Sequence, residues 1–209
     1  INSTVHGNMT SSNGGGIYVR SGEIVLRNST VSGNFAWGEG GGIYGETGRV
    51  RITLESTTVT GNDTFGRVGG VFLRGEPEDL RISNSIIANQ VTGDDCAFSG
   101  TSLGHNLDSD WTCGLNAPTD QAGIDPMLHD LGLSTGSTYT HVPMAGSPVI
   151  DRGICQWVTD QRGVPRPRDG NNDGVAICDI GSVEYNPRLI HAQNPVTGED
   201  VLVVLPDPE

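Results

Sequence analysis

The sequence predicts an all-β fold, a parallel β-helix built from coils of about 26–28 residues that runs into a loop-rich, disulfide-bonded C-terminal region. Three observations predict it. First, Asn2-Ser3-Thr4-Val5-His6-Gly7-Asn8 returns as Asn28-Ser29-Thr30-Val31-Ser32-Gly33-Asn34, as Ser56-Thr57-Thr58-Val59-Thr60-Gly61-Asn62, and one residue shorter as Asn84-Ser85-Ile86-Ile87-Ala88-Asn89. Second, other columns march with it. Gly14-Gly15-Gly16-Ile17-Tyr18 is followed by Gly40-Gly41-Gly42-Ile43-Tyr44 and Gly69-Gly70-Val71-Phe72, and Leu26 by Leu54 and Ile82. Third, the apolar runs are short and β-branched, and Gly, Asn and Ser bound them. Residues 1–113 hold no helical period for ten residues, and the L-x-x-L-x-L frame of leucine-rich repeats is missing.

A unit this short cannot bury a core alone, so each copy must rest on the next. Strand–turn–strand coils stacked in register do this at ~4.8 Å per coil. Val5, Val31, Val59 and Ile87 then point inward as one ladder. Asn8, Asn34, Asn62 and Asn89 are expected at a turn, where Asn tolerates left-handed backbone and its amide bonds the Asn of the next coil. The Gly triplets let the backbone turn where a Cβ would clash. No helix and no Lys-Ser/Thr follows them, which excludes a phosphate-cradling loop.

Composition narrows the function. All twelve basic residues are Arg and the net charge is −13, so there is no basic footprint for nucleic acid. The acidic balance suits cations, cationic partners or plain solubility. No run of eighteen apolar residues exists to span a membrane as a helix. No signal peptide is evident and the chain begins inside a repeat, which reads as a mature or truncated product. Cys96 and Cys113 lie 17 residues apart, Cys155 and Cys178 lie 23 apart, and none forms a C-x-x-C pair. Two local disulfides are expected, each worth ~3 kcal/mol by loop entropy. They imply an oxidising, extracellular or cell-surface location.

After residue 90 the repeat stops. Residues 1–93 read as coils, 94–185 as the last coils and loop-rich part of the same domain, and 186–209 as a tail. Several strings carry a resemblance. They include Asp95-Cys96, Ser102 to Asp108, Cys113-Gly114, Asp125-Pro126, Thr140-His141 and Gly146-Ser147-Pro148-Val149-Ile150-Asp151. The most specific are Thr159-Asp160-Gln161-Arg162-Gly163-Val164-Pro165-Arg166-Pro167 and Cys178-Asp179-Ile180-Gly181-Ser182-Val183-Glu184. Over about residues 1–185 the chain resembles the choice-of-anchor Q domain proteins. The resemblance implies a right-handed parallel β-helix on a bacterial surface or in the medium. It implies no particular activity, and residues 186–209 carry no sorting signal.

Two clusters invite a chemical reading. Asp160, Arg162 and Arg166 (with Asp169 nearby) read as an ion network that pins irregular backbone, because Arg forks grip carboxylates with two prongs. The competing reading is a polysaccharide lyase or hydrolase, but a lyase base is usually Lys or Arg and the chain has no Lys. The sequence assigns no catalytic residue and leans away from an enzyme. Asp169, Asn171 and Asp173, with Gly174 next, the Val175 carbonyl and Asp179, fit the opening of a Ca²⁺ loop; a plain Asn/Gly turn is the commoner explanation. Position 12 holds Ile180 where a calcium loop wants Glu.

The histidines show no helical metal spacing, and His141 is expected to fold a linker. Trp37, Trp111 and Trp157 lie in separate segments, either packing or lining a sugar groove. In the tail, Val201, Leu202, Val203, Val204 and Leu205 form a strand that Pro206 ends. That strand is read as a cap on the column or as a donor to a neighbour, giving head-to-tail filaments. Taken together, these features point to a structural or adhesive module whose partners are itself or surface glycans. A carbohydrate-active or sugar-binding domain is the alternative.

Overall fold

The computed structural model describes residues 1–187 apart from residues 47, 49, 77, 78, 98 and 99, together with the backbone of residues 189–193 and 200–204. The chain is a parallel β-solenoid. Its first coil contains β1 (Thr4–His6), β2 (Met9–Thr10), β3 (Ile17–Val19) and β4 (Gly22–Arg27). The second contains β5 (Thr30–Ser32), β6 (Phe35–Ala36), β7 (Ile43–Gly45) and β8 (Val50–Glu55). The third contains β9 (Thr58–Thr60), β10 (Asp63–Thr64), β11 (Val68–Leu73) and β12 (Leu80–Ser83). A reduced fourth coil has β13 (Ile86–Ala88), β14 (Asp94–Cys96) and β15 (Thr101–Ser102), and β16 (Leu107–Asp108) and β17 (Gln121–Ala122) close the column.

Equivalent strands stack into four parallel sheets. Sheet 1 runs β1-β5-β9-β13-β16-β17, sheet 2 is β2-β6-β10, sheet 3 is β3-β7-β11-β14 and sheet 4 is β4-β8-β12-β15. Val5 pairs with Val31, Val31 with Val59 and Val59 with Ile87. The inner three of these four are 0–1% exposed. Leu26, Leu54 and Ile82 form the expected second ladder, and Ile17, Ile43 and Val71 a third. Each fully buried Val, Leu or Ile contributes roughly 1.5–3 kcal/mol. The ladders meet in one core that also takes Cys96 and Cys113.

The Asn column differs from expectation in its last rung. Asn8 Nδ2 donates to Asn34 Oδ1 at 2.9 Å, Asn34 Nδ2 to Asn62 Oδ1 at 2.9 Å, and Asn62 Nδ2 to Gln90 Oε1 at 3.2 Å. The fourth member is therefore Gln90. Asn89 instead takes the place of Gly7, Gly33 and Gly61, which share its positive φ of 53–66°. The left-handed backbone thus sits one residue before the amide, and the fourth block is not shortened. A second left-handed column joins sheet 4 to sheet 1 at Asn2, Asn28, Ser56 and Asn84. The glycines after sheet 2 are steric: a Cβ on Gly41 would stand 2.2 Å from the Asp63 carbonyl oxygen.

Both disulfides are present, Cys96–Cys113 and Cys155–Cys178. In the tail, β18 (Leu189–Gln193) pairs antiparallel with β19 (Asp200–Val204) as a two-stranded sheet. Val201 to Val204 therefore pair in-chain along one strand edge, and Leu205 lies outside the described residues.

Candidate functional site

The two charged clusters that invite a chemical reading both lie in a strap, residues 126–187, that folds back along the outer face of sheet 1. On that face Thr4, Thr30 and Thr58 stand in register. The strap meets them with side chains of matching polarity. Thr30 Oγ1 donates to Gln161 Oε1 at 2.6 Å, and Gln161 Nε2 donates to Thr4 Oγ1 at 3.0 Å. Ser182 Oγ lies 3.2 Å from Thr30 Oγ1 and 3.1 Å from Thr58 Oγ1. The left-handed turn column joins in. Asn28 Nδ2 donates to the Thr159 carbonyl, and Asn84 Nδ2 to that of Asp179. Further along, Ile86, Ala88 and Leu107 of the sheet close on Val149 and Ile180 of the strap as a second apolar cluster.

The ion network holds the strap in this shape. Asp160 is 0% exposed and accepts from the Arg162 backbone N–H, Arg162 Nε and Nη2, and the N–H groups of Val164 and Glu184. Arg162 Nη2 also donates to the Glu184 carbonyl at 2.6 Å. Arg166 Nη1 lies 3.2 Å from Glu184 Oε1 and donates to the Asp179 carbonyl, while Nη2 donates to the Gly181 carbonyl. Glu184 in turn accepts from the backbone N–H groups of Asp179 and Arg168. Burial raises the pKa of Glu184, and the Arg166 guanidinium works against that shift. Burial and the neighbouring Glu184 charge push Asp179 well above the usual carboxylate range. Apart from Arg166 Nε, which is buried without a hydrogen-bond partner, these groups are closed to solvent and bonded to one another and to strap backbone, an arrangement that fixes loops.

The structure brings Asp160, Arg162 and Arg166 together and adds Glu184 and Asp179, to which the sequence reading gave no part in the network. The loop at 169–175 stands apart. Asp169 accepts from the N–H groups of Asp173 and Gly174, Asn171 from that of Asp173, and Asp173 from that of Val175. These are turn bonds, and Asn171, Asp173 and Val175 are exposed. Asp179 is 1% exposed, and its carboxylate oxygens accept the N–H groups of Asp151 and Tyr185. It is therefore committed to the network. Among the described residues, no three His, Cys, Asp or Glu side chains gather as a metal site.

His141 holds the strap as well. Its Nε2 is 2.7 Å from Ser32 Oγ and its Nδ1 is 2.8 Å from the His129 carbonyl oxygen; burial lowers its pKa. The neutral ring donates from Nδ1 and accepts the Ser32 hydroxyl proton. The tryptophans separate as the sequence spacing suggests. Trp157 lies under the Arg27 guanidinium, 5.4 Å from its ring centre. Trp111 is 72% exposed beside Gly123, and Trp37, just beyond β6 of sheet 2, is 59% exposed. No helix among the described residues is long and apolar enough to cross a membrane. Comparison with protein-family models, with curated proteins and with solved structures returns no match.

Proposed function

We propose that the chain is a non-catalytic β-solenoid module, structural or adhesive, that works outside the cell or on its surface. One observation carries this reading: the clustered acids and arginines are buried and spent on strap backbone, so the site that most resembles an active centre is a fastening. Two disulfides support an oxidising location. The strings that resemble choice-of-anchor Q domain proteins include the residues that dock and pin the strap, Gln161, Arg162, Arg166, Ser182 and Glu184. That gives the resemblance a physical content, since such strings would be kept to fold a strap.

The test is turnover. Incubation with pectate, alginate and neutral polysaccharides should release no new reducing or unsaturated ends. Sustained release that disappears in Arg162→Ala or Asp160→Asn, in protein shown by circular dichroism to stay folded, would overturn the proposal. Electron microscopy of the purified protein distinguishes single modules from filaments. The column ends are unlike: strands of up to six residues lie at one, two-residue strands at the other. Filaments that vanish on deleting residues 196–209 would establish self-assembly through the tail strand.

A further inference from the structure

Sheet 2 carries a feature that the strap and the core do not use. Its strands pair Met9 with Phe35 and Phe35 with Asp63, and all three point away from Ala36 and Thr64, which are buried inside. Just beyond the strands, Trp37 and Phe65 follow on adjacent coils. Met9 is 75% exposed, Trp37 59% and Phe65 69%. Phe65 sits edge-on to both Phe35 and Trp37, with centroids 5.1 Å apart and planes at 90° in each pair. An edge-on contact covers at most one face of a ring, so the Trp37–Phe65 pair leaves aromatic face open to solvent.

We infer that this face binds an uncharged glycan, with a pyranose ring stacked on the Trp37–Phe65 pair. The rim supplies the polar half of the recognition. Asp63 Oδ1 accepts from Thr64 N–H and Thr92 Oγ1, which leaves Oδ2 as a spare acceptor. Glu39 Oε2 accepts from the Arg67 and Val68 N–H groups and leaves Oε1. Asn13 Oδ1 accepts the Glu39 N–H, leaving its Nδ2 to donate. Spare acceptors beside open aromatic rings match the hydroxyls and C–H face of a sugar.

Size and charge argue against other occupants. Three side chains of ~200 Å² each, exposed to these fractions, offer about 400 Å². A stable protein interface needs ~800 Å² per partner. A second copy also brings a like net charge of −13, as does an anionic polysaccharide in kind. The inference rests on the adhesive reading and supplies its ligand class.

The experiment titrates the full chain with cellohexaose and with N-acetylchitohexaose, followed by tryptophan fluorescence and calorimetry. At least one should saturate and shift the emission. Trp37→Ala and Phe65→Ala should each weaken binding at least tenfold, while Trp111→Ala, which removes another exposed indole, should leave it unchanged. Asp63→Asn should weaken binding without touching the stacking pair, and it guards against a misfolded Trp37 variant. Three results overturn the inference: neither glycan saturating, Trp37→Ala binding as the unaltered protein does, or a concentration-dependent dimer that Trp37→Ala abolishes. None of them bears on catalysis, so the non-catalytic reading stands or falls separately by turnover.

Discussion

Replacing Asn62 with Ala removes the middle of the amide ladder at a site that is 0% exposed. Asn62 Oδ1 accepts both the Asn34 backbone N–H at 3.1 Å and Asn34 Nδ2 at 2.9 Å. Its Nδ2 donates to the Val31 carbonyl and to Gln90 Oε1. Ala leaves the Asn34 N–H without this acceptor inside the column, at about 1–3 kcal/mol, and forfeits three further bonds at about 1 kcal/mol each. The expected loss is about 4–6 kcal/mol, a large fraction of the stability of an ordinary domain. Asn8→Ala is the control. It breaks the same ladder at its solvent-exposed end, gives up the single side-chain bond to Asn34, and should cost under ~1 kcal/mol. Urea unfolding followed by far-ultraviolet circular dichroism measures both. If Asn62→Ala costs no more than Asn8→Ala, the ladder is incidental and apolar stacking alone sets the register.

Three other outcomes follow from the same structure. Burial pushes the Asp95 carboxyl up to about 6. Between about pH 4 and 6 the folded chain therefore holds a proton that the unfolded chain has released, and stability falls as pH rises through that window by about 3 kcal/mol. Asp95→Asn should flatten that part of the profile, and the difference between the two proteins cancels the opposite slope from His141, whose lowered pKa favours folding as pH rises. Non-reducing peptide mapping should recover Cys96–Cys113 and Cys155–Cys178, and reducing them should cost ~3 kcal/mol each; crossed pairs would contradict the coil geometry. The Asp169, Asn171 and Asp173 side-chain oxygens already accept backbone N–H groups of their own turn, so melting curves with Ca²⁺ and with chelator should superimpose; a rise with Ca²⁺ that Asp173→Ala removes would instead assign a Ca²⁺ site.

The inward ladders were legible in the sequence because a solenoid writes its core as a period: Val31 and Val59 must meet if their coils stack. The cysteine pairs were legible because each closes a short local loop. The strap was not. Gln161 reaches Thr4 across 157 residues and Asn84 reaches the Asp179 carbonyl across 95, with no repeat to announce either contact. Glu184 and Asp179 joined the network only once the strap was folded. Spacing along the chain places Asp179 with the 169–175 loop, but it cannot show that the carboxylate turns inward to the Asp151 and Tyr185 N–H groups. The ladder slipped for a simpler reason. Asn89 is the expected residue type, but it occupies the left-handed position that Gly holds in the other coils, and Gln90 supplies the amide.

The strap also decides which surface is left for a partner. Sheet 1 is covered. On sheet 4 the outward side chains include Glu23, Arg27, Arg51, Glu55 and Arg81, and Arg27 pairs with Glu55 across coils at 2.7 Å, which suits contact with water. On sheet 3, Tyr18, Tyr44 and Phe72 stack on one another at 5.2 Å, and Tyr44 keeps only 2% of its surface exposed. The middle ring is enclosed by its neighbours, while Tyr18 at the end of the stack stays 45% exposed and gives its hydroxyl to Glu46. On sheet 2 the strands are two residues long and the rings meet edge-on, so the same kind of side chain stays open. The difference is geometric. Parallel stacking down a sheet consumes aromatic faces, whereas edge-on packing at a corner leaves them available. A solenoid that seals one face with its own chain and stacks the rings of another leaves the Trp37–Phe65 pair at the corner as an open aromatic surface.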